Sequence, residues 1–344
     1  MRSVSATLEA AQSSSNRTPY VQLVLTSYDG GTSYDLSLDG TYGNRILLLD
    51  YSEEAYNDYA VVILRNSDRG LPEDLRGFWT EFGLGDVTPS GIEYSTYPRL
   101  WVKHQQTFSS AGKLYTILEL EGMWSKLRET KIMLGSPPYY NISYDSSTPY
   151  EIAVAVLAQI DPAMALQALV EDDGIIDTFT PLFSINETQL FEDGGSIIYR
   201  LLQMTKSFMR PKPSLEFEVK YPLESDSADV TYNNNIDPKF YQFSHRQNLR
   251  IPNHIYCIAN EGSDGLFSEV IVAEATNDDS IAAYGDVPDI VLAPSIDNET
   301  DAENRAASIL SRVGQEELAG SLTTKHDCRV ELYDMVGVVD SRGA

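Results

Sequence analysis

The chain has 344 residues, of which 42% are hydrophobic and 22% charged. This balance indicates a folded globular protein of two or three domains and excludes a disordered chain. The net charge of −26 argues against sequence-specific DNA or RNA binding and against docking on anionic lipid, because both need a basic surface. Two cysteines, no signal-peptide pattern and no apolar run of about 18 residues predict reduced thiols, folding in a cytoplasm and no membrane insertion.

Residues 1–146 are predicted to form a β-rich domain that opens with a short helix. Apolar residues at helical spacing predict that helix over Val4–Gln12. From Tyr20 onward, short β-branched or aromatic runs alternate with Gly-containing turns, which is typical of strands. Two longer strands joined at Ser109–Gly112 predict a hairpin, and a helical turn around Trp124 is expected to pack over it.

A helical region is predicted for residues 147–213. The order Thr148-Pro149-Tyr150-Glu151 is a capping box with proline in the first turn, and it predicts a helix that stops at Asp161-Pro162. A second helix is predicted from Ser196 to the prolines at 211 and 213. Its apolar stripe would be Ile197, Leu201, Met204 and Phe208. Cations near its end suit the carbonyl pole of the helix: Lys206, Arg210 and Lys212. No role is predicted for residues 161–195.

A second β-rich domain is predicted for residues 214–344. Strict alternation over Leu215–Tyr221 predicts a half-buried strand, and further strand-like runs follow it. The end of the chain reads as a helix over Asp301–Leu318, a glycine stop at Gly320 and one long strand over Leu322–Gly343. The sequence therefore predicts an α+β protein with two β-barrel domains, helical insertions and chain segments shared between the domains.

The motifs of common enzymes are absent from the sequence. It has no Gly-x-Ser-x-Gly elbow, no Walker-type phosphate loop and no His-Glu-x-x-His helix. Two His-Cys pairs suggest a zinc site, formed by His254, Cys257, His326 and Cys328. Both pairs lie in strand-like runs and not in knuckle turns, so buried free cysteines are the favoured interpretation. A disulfide between the cysteines is disfavoured by the compartment.

Acidic and aromatic clusters leave other binding functions open. The loops Glu171-Asp172-Asp173-Gly174 and Asp278-Asp279 could bind calcium, although neither has EF-hand spacing and solvated loops are the commoner case. Unassigned Asp/Glu pairs could support glycoside hydrolysis. The 21 tyrosines, Tyr139-Tyr140 among them, could line a carbohydrate or peptide groove or could be ordinary strand residues.

Three segments resemble minor tail, tail-tip or baseplate hub proteins of siphophages. They are the opening MRSVSATLEAAQ, the hairpin and helical turn over Arg99–Leu127, and the closing helix and strand AASILSRVG…CRVELYDMVGVVDSR. The resemblance implies two tail-tube-like barrels per chain, no enzymatic activity, no cofactor and no metal. It also implies a homotrimeric hub in the virion tail, which adapts a six-fold tail tube to a three-fold spike or fibre.

The same resemblance implies the partners. They would be the tail tube, the distal tail proteins, the spike or fibre and the tape measure protein, with DNA passing through the channel without specific binding. Strand edges and apolar middle helices would join the subunits, and the candidate residues for that contact are Trp124, Ile197, Leu201, Met204 and Phe208. Packing inside one chain is the equal alternative for them. The competing functions are a carbohydrate-binding or glycoside-hydrolysing protein and a calcium-dependent adhesion module.

Overall fold

The computed structural model describes residues 1–43, 45–133, 142–186, 191–223, 226–247, 251–259, 270–293, 296, 298–315 and 318–341. Six helices and 22 strands, arranged in seven sheets, lie within these ranges. The predicted α+β class is confirmed, with strands outnumbering helices. None of the described helices is long and apolar enough to cross a membrane.

The first 133 residues are mostly strands, as the sequence predicts. Their elements are α1 (Ala6–Ser13), β1 (Pro19–Gln22), β2 (Val24–Thr26), β3 (Ser33–Asp35), β4 (Ile46–Glu54), β5 (Asn57–Arg65), β6 (Trp79–Thr80), β7 (Gly83–Thr88), β8 (Gly91–Thr96), β9 (Leu100–Ser110), β10 (Lys113–Glu121) and α2 (Met123–Glu129). The predicted opening helix, the hairpin and the helical turn at Trp124 are confirmed as α1, β9–β10 and α2.

A seven-stranded sheet dominates this part of the chain. Its strand order is β3-β2-β6-β9-β10-β5-β4, and a smaller sheet runs β1-β7-β8. Over the described residues the large sheet ends in β3 and β4 without pairing them to each other, so it is an open sheet and not a closed barrel. Leucines on its inner face, with Phe82 and Tyr97, form one buried core.

Helices and short strands make up the middle of the chain. The elements are β11 (Ile142–Tyr144), α3 (Pro149–Ile160), β12 (Ala165–Leu166), β13 (Phe183–Ile185), α4 (Gly194–Leu202), β14 (Phe208–Lys212) and β15 (Glu216–Lys220). The capping box is confirmed, because the Thr148 hydroxyl accepts from the Glu151 amide while the Glu151 carboxylate accepts from the Thr148 amide. Leu215, Phe217 and Val219 are buried as the alternation predicts.

The second predicted helix is shorter than the sequence suggests. It ends at Leu202, Met204 lies in the following turn, and Phe208 begins β14. The predicted stripe down to Phe208 is therefore wrong. Side chains distant in sequence bind the turn over residues 202–207 and end the helix there. The Arg312 guanidinium donates to carbonyls of this turn, and the Asp173 carboxylate accepts from the Lys206 amide and the Ser207 hydroxyl.

The last third contains β16 (Val230–Asn233), β17 (Phe240–Gln247), β18 (His254–Ala259), β19 (Ile271–Thr276), α5 (Asp278–Tyr284), β20 (Pro288–Ala293), α6 (Glu299–Gln315), β21 (Leu318–Thr324) and β22 (Val336–Val339). The sheet β19-β18-β20 is covered on one face by α6, through alanines at 302 and 306. The sheet β12-β15-β14 takes strands from both sides of residue 213. The domain boundaries at 146 and 213 stay a prediction.

The closing segment is two strands and not one. Residues 325–335, between β21 and β22, form turns, and we call them the clamp segment. In place of strand pairing, the Arg329 amide donates to the Asp327 carboxylate and the Glu331 amide donates to the Asp334 carboxylate. Gly320 is not a helix stop. It lies in β21, where a Cβ would come 2.6 Å from the Ser244 carbonyl oxygen.

Candidate assembly surfaces

The clamp segment is fastened by a buried charge network. Arg210, which is only 2% exposed, reaches Asp334 at 2.8 Å and Glu331 at 3.3 Å. Glu331 also pairs with Lys212 at 2.7 Å and with Arg2 at 3.5 Å. Buried charges are tolerated only when paired, so these contacts fix the segment against the middle of the chain and its beginning.

A second set of polar contacts ties the same segment to α1. The Cys328 amide donates to the Gln12 side chain at 3.1 Å, and Arg329 pairs with Glu9 at 2.8 Å. Cys328 itself is fully buried in the core of the large sheet. Burial raises the pKa of its thiol to about 11, which keeps it protonated. The clamp segment is thus a structural part of the first β-rich region.

Two carboxyl groups face each other inside the large sheet. Glu53 and Asp58 are register partners in the β4–β5 hairpin, and Asp58 is 1% exposed. One Asp58 oxygen accepts from the Met123 amide at 3.3 Å, at the start of α2, while the other has no partner among the described residues. Burial, followed by the charge of Glu53, raises the pKa of Asp58 to about 7.

The four residues considered for zinc lie in two different places. Cys257 is buried between the β18 sheet and α6, whereas Cys328 belongs to the large-sheet core. His254 contacts Glu274 at 3.3 Å and Asp286 at 3.1 Å. Over the described ranges no three His, Cys, Asp or Glu side chains gather closely enough to hold a metal ion. The quartet considered for zinc is therefore not assembled, and the two cysteines are buried free thiols in two different cores.

Histidine charge differs between the two places. Burial lowers the pKa of His254, but hydrogen bonds to Glu274 and Asp286 outweigh it and the net shift is upward. The pKa of His326 is lowered by burial and then by Arg17. His326 instead shares a hydrogen bond with the Tyr97 hydroxyl at 3.2 Å. The first histidine is thus stabilised in its charged form and the second in its neutral form.

The acidic loops considered for calcium have structural roles. Both Asp173 oxygens accept from the chain itself, from the amides of Ile175, Ile176 and Lys206 and from the Ser207 hydroxyl. Asp278 and Asp279 lie in the first turn of α5, where carboxylates suit the positive pole of the helix. Asp173 accordingly pins the turn after α4 to the loop before β13.

The cations predicted to cap the second helix act elsewhere. Arg210 and Lys212 lie on β14 and enter the buried network, and Lys206 contributes its backbone amide to Asp173. Arg312 of α6 satisfies the carbonyls at the end of α4 instead. The capping prediction is therefore wrong in its residues, because a cation from more than 100 positions away performs that role.

The proposed subunit-contact residues lie mainly in the chain's own core. Trp124, Ile197 and Leu201 are at most 1% exposed, and all three belong to the core around α2, α3 and α4. Met204 and Phe208 are half-buried, and Phe208 packs its ring on Tyr333 at 4.7 Å. Packing inside the chain accounts for these contacts. A role between subunits stays a prediction.

An open cleft of about 320 Å³ brings several carboxylates together. It is lined by carboxylates of Glu171, Asp172, Asp226 and Asp229. Each accepts a hydrogen bond from a nearby backbone amide, and Glu171 also pairs with Lys220. Tyr139-Tyr140, considered for a carbohydrate groove, lie outside the described residues.

β4 forms one outer edge of the large sheet as described. This strand has nine residues and, within the described ranges, pairs on one side only, with β5. Leu47 and Leu48 stand at the edge, each 45% exposed. A long edge with exposed apolar side chains is a template for pairing with another chain, so β4 is the best-formed candidate assembly surface of the large sheet.

The fold is similar over nearly the whole chain to the folds of two tail proteins of known structure. The chain is similar to the tail protein of Neisseria meningitidis MC58, with a TM-score of 0.64, 14% identity and 94% of this chain and 87% of that chain covered. It is also similar to the 43 kDa tail protein of prophage MuSo2 from Shewanella oneidensis, with a TM-score of 0.62, 13% identity and coverage of 94% and 90%. No family model and no curated protein matches the sequence.

Proposed function

We propose that this chain is a structural, non-enzymatic protein of a bacteriophage tail, located in the virion after assembly in the host cytoplasm. The observation that carries the proposal is the fold similarity to two tail proteins, one of them from a prophage, over nearly the whole length of all three chains. The similarity covers 94% of this chain, so no large segment lies outside the shared fold. Its position would be the tip of the tail, as a homotrimeric hub between the six-fold tube and a three-fold spike or fibre.

Copies of the chain would join through sheet edges. The β4 edge offers unpaired backbone groups over nine residues, with Leu47 and Leu48 to be covered by the neighbour. Three copies related by a closed rotation would each use one edge and one complementary surface, which makes a ring. The tail tube, distal tail proteins and tape measure protein would contact the faces of that ring.

The charge of the chain suits a channel for DNA. Each copy carries a net charge of −26, so three copies together carry −78. Carboxylates along a lumen would repel phosphates instead of holding them. DNA would then pass without specific binding. The proposed lining would be wrong if the strands facing the lumen of the assembled ring carried mostly Lys and Arg.

Native mass spectrometry of the purified chain across a concentration series tests the assembly. A trimer is expected in the native chain, and the double substitution Leu47→Lys/Leu48→Lys is expected to give monomers because it places charges at the joining edge. Val170→Lys/Ile236→Lys is the matched control, since these apolar residues are exposed and lie in loops outside the large sheet. A native chain that stays monomeric at every concentration, alone and with the tail tube protein, would contradict the hub.

A further inference from the structure

Arg305 of α6 is a half-buried cation that forms no ion pair within the described residues. Its Nη1 atom is buried and has no hydrogen-bond partner there. The titratable groups that act on it are Cys257, Arg312 and Tyr199, and none of them is a carboxylate. Buried cations are normally paired. The chain has 51 acidic residues against 25 basic ones, so the missing partner is a property of this position and not of a shortage of acids.

The arginine lies where α6 meets α4. Arg305 and Arg312 are seven residues apart on α6, which is nearly two helical turns, so both side chains leave the helix on the same face. Arg312 is directed at the end of α4, where it donates to the Leu202 and Thr205 carbonyls. Tyr199 lies one turn before Leu202 and acts on the charge of Arg305. We call the place formed by Tyr199, Arg305 and Arg312 the α4–α6 seam.

The α4–α6 seam carries positive charge that the described part of the chain does not neutralise. Arg312 donates to carbonyls of the 202–207 turn and to the Tyr56 hydroxyl, which are all neutral acceptors, so its full charge remains. Burial lowers the pKa of Arg305 to about 10, and the charge of Arg312 adds to that shift. Both guanidinium groups are therefore charged at neutral pH and repel each other. An anion in contact with Arg305 would supply the missing partner and offset this repulsion.

The groups of the α4–α6 seam select the chemistry of that anion. A guanidinium presents several N–H donors that match the oxygens of phosphate, sulfate or carboxylate. The Tyr199 hydroxyl is a second donor, on a side chain that is 47% exposed. Arg305 is half-buried, so its guanidinium is open to solvent on part of its surface. Two neighbouring positive charges attract a dianion more strongly than a monoanion, which favours phosphate over a single carboxylate.

We propose that the α4–α6 seam is a binding site for one small phosphate-type oxyanion. Arg305 is its main ligand, the Tyr199 hydroxyl is a second donor, and Arg312 contributes charge while it stays on the carbonyls at the end of α4. The bound anion joins α6, which covers the β18 sheet, to the helices in the middle of the chain. This site does not depend on the proposed tail function, because it rests on the unpaired guanidinium and its neighbours alone.

Thermal unfolding in sodium phosphate, sodium acetate and sodium chloride at equal ionic strength and pH 8 tests the site. The melting temperature of the native chain is expected to rise saturably with phosphate above the chloride baseline, because a ligand of the folded state stabilises it by mass action. Acetate is expected to give a smaller rise. Arg305→Met is expected to increase the phosphate concentration at half-maximal rise by at least about tenfold, and Tyr199→Phe by about threefold, which keeps the ring but removes the donor.

Arg65→Met is the matched control, since Arg65 is an exposed residue of β5, and it is expected to keep the phosphate response of the native chain. In chloride alone, Arg305→Met is expected to melt above the native chain because it removes an unpaired, partly buried charge. A lower melting temperature of Arg305→Met in chloride would overturn the proposal, since the chain itself would then supply the partner. So would a phosphate response that does not saturate, or one that Arg305→Met leaves unchanged.

Discussion

Asp58→Asn is expected to stabilise the folded chain more as the pH rises. Asp58 is buried between β5 and the start of α2, opposite Glu53. Its pKa is about 7 in the folded chain, whereas the usual value for an unfolded aspartate is about 3.9. A raised pKa means that the folded state holds a proton that the unfolded state has lost, so stability falls between about pH 4 and about pH 7.

The magnitude follows from the size of the shift. One pKa unit corresponds to about 1.4 kcal/mol, so a shift of about three units costs about 4 kcal/mol once the pH is above 7. Between pH 5 and pH 8 only the two units below the folded-state pKa of about 7 count, so the unfolding free energy of the native chain falls by about 3 kcal/mol over that interval. Asparagine keeps an acceptor for the Met123 amide and carries no charge to desolvate, so it avoids this cost.

Urea unfolding at pH 5 and pH 8 measures the effect. We subtract the unfolding free energy of the native chain from that of Asp58→Asn at each pH. This difference is expected to be about 3 kcal/mol larger at pH 8 than at pH 5. Asp50→Asn, at an exposed position of the same hairpin, gives the baseline for losing one carboxylate. An identical difference at both pH values would refute the assignment of a protonated, buried Asp58.

Three further substitutions test the packing. Glu331→Gln should lower the unfolding free energy in urea by up to about 3–5 kcal/mol, because it removes the one carboxylate that contacts Arg210, Lys212 and Arg2 together; a loss below about 1 kcal/mol would show that this network does not hold the clamp segment in place. Gly122→Ala should lower the melting temperature, because its Cβ would overlap the Asp58 carboxylate, whereas Gly314→Ala in open space on α6 should raise it. Thr148→Ala should cost about 1 kcal/mol through the lost helix cap, and Thr148→Ser should restore most of it.

Local signals in the sequence predicted local structure correctly. The capping box at Thr148 needs only residues four positions apart, and it starts α3 as expected. The β9–β10 hairpin is likewise set by neighbouring runs and the turn between them. Such elements depend on short-range hydrogen bonds and side-chain periodicity, which the sequence displays directly.

Long-range contacts explain the errors. α4 stops at Leu202 because Arg312 and Asp173 bind the turn that follows, and no pattern near Leu202 contains that information. The sequence of the clamp segment predicts a strand, yet contacts with Arg210 and Lys212 hold the segment in turns. The sequence does carry a weak signal: Arg210 and Glu331 each have an apolar residue on both sides, and such charges need partners when buried.

Cys328 sets a limit on when the large sheet can finish folding. Its side chain fills the same core as Leu100, although 228 positions separate the two residues. At a synthesis rate of about 5–20 residues per second, the ribosome needs roughly 10–45 seconds to add that length. During this interval the nascent sheet lacks part of its interior and leaves leucines open to water. A chaperone that shields them until translation reaches the clamp segment would raise the yield of correctly folded chains.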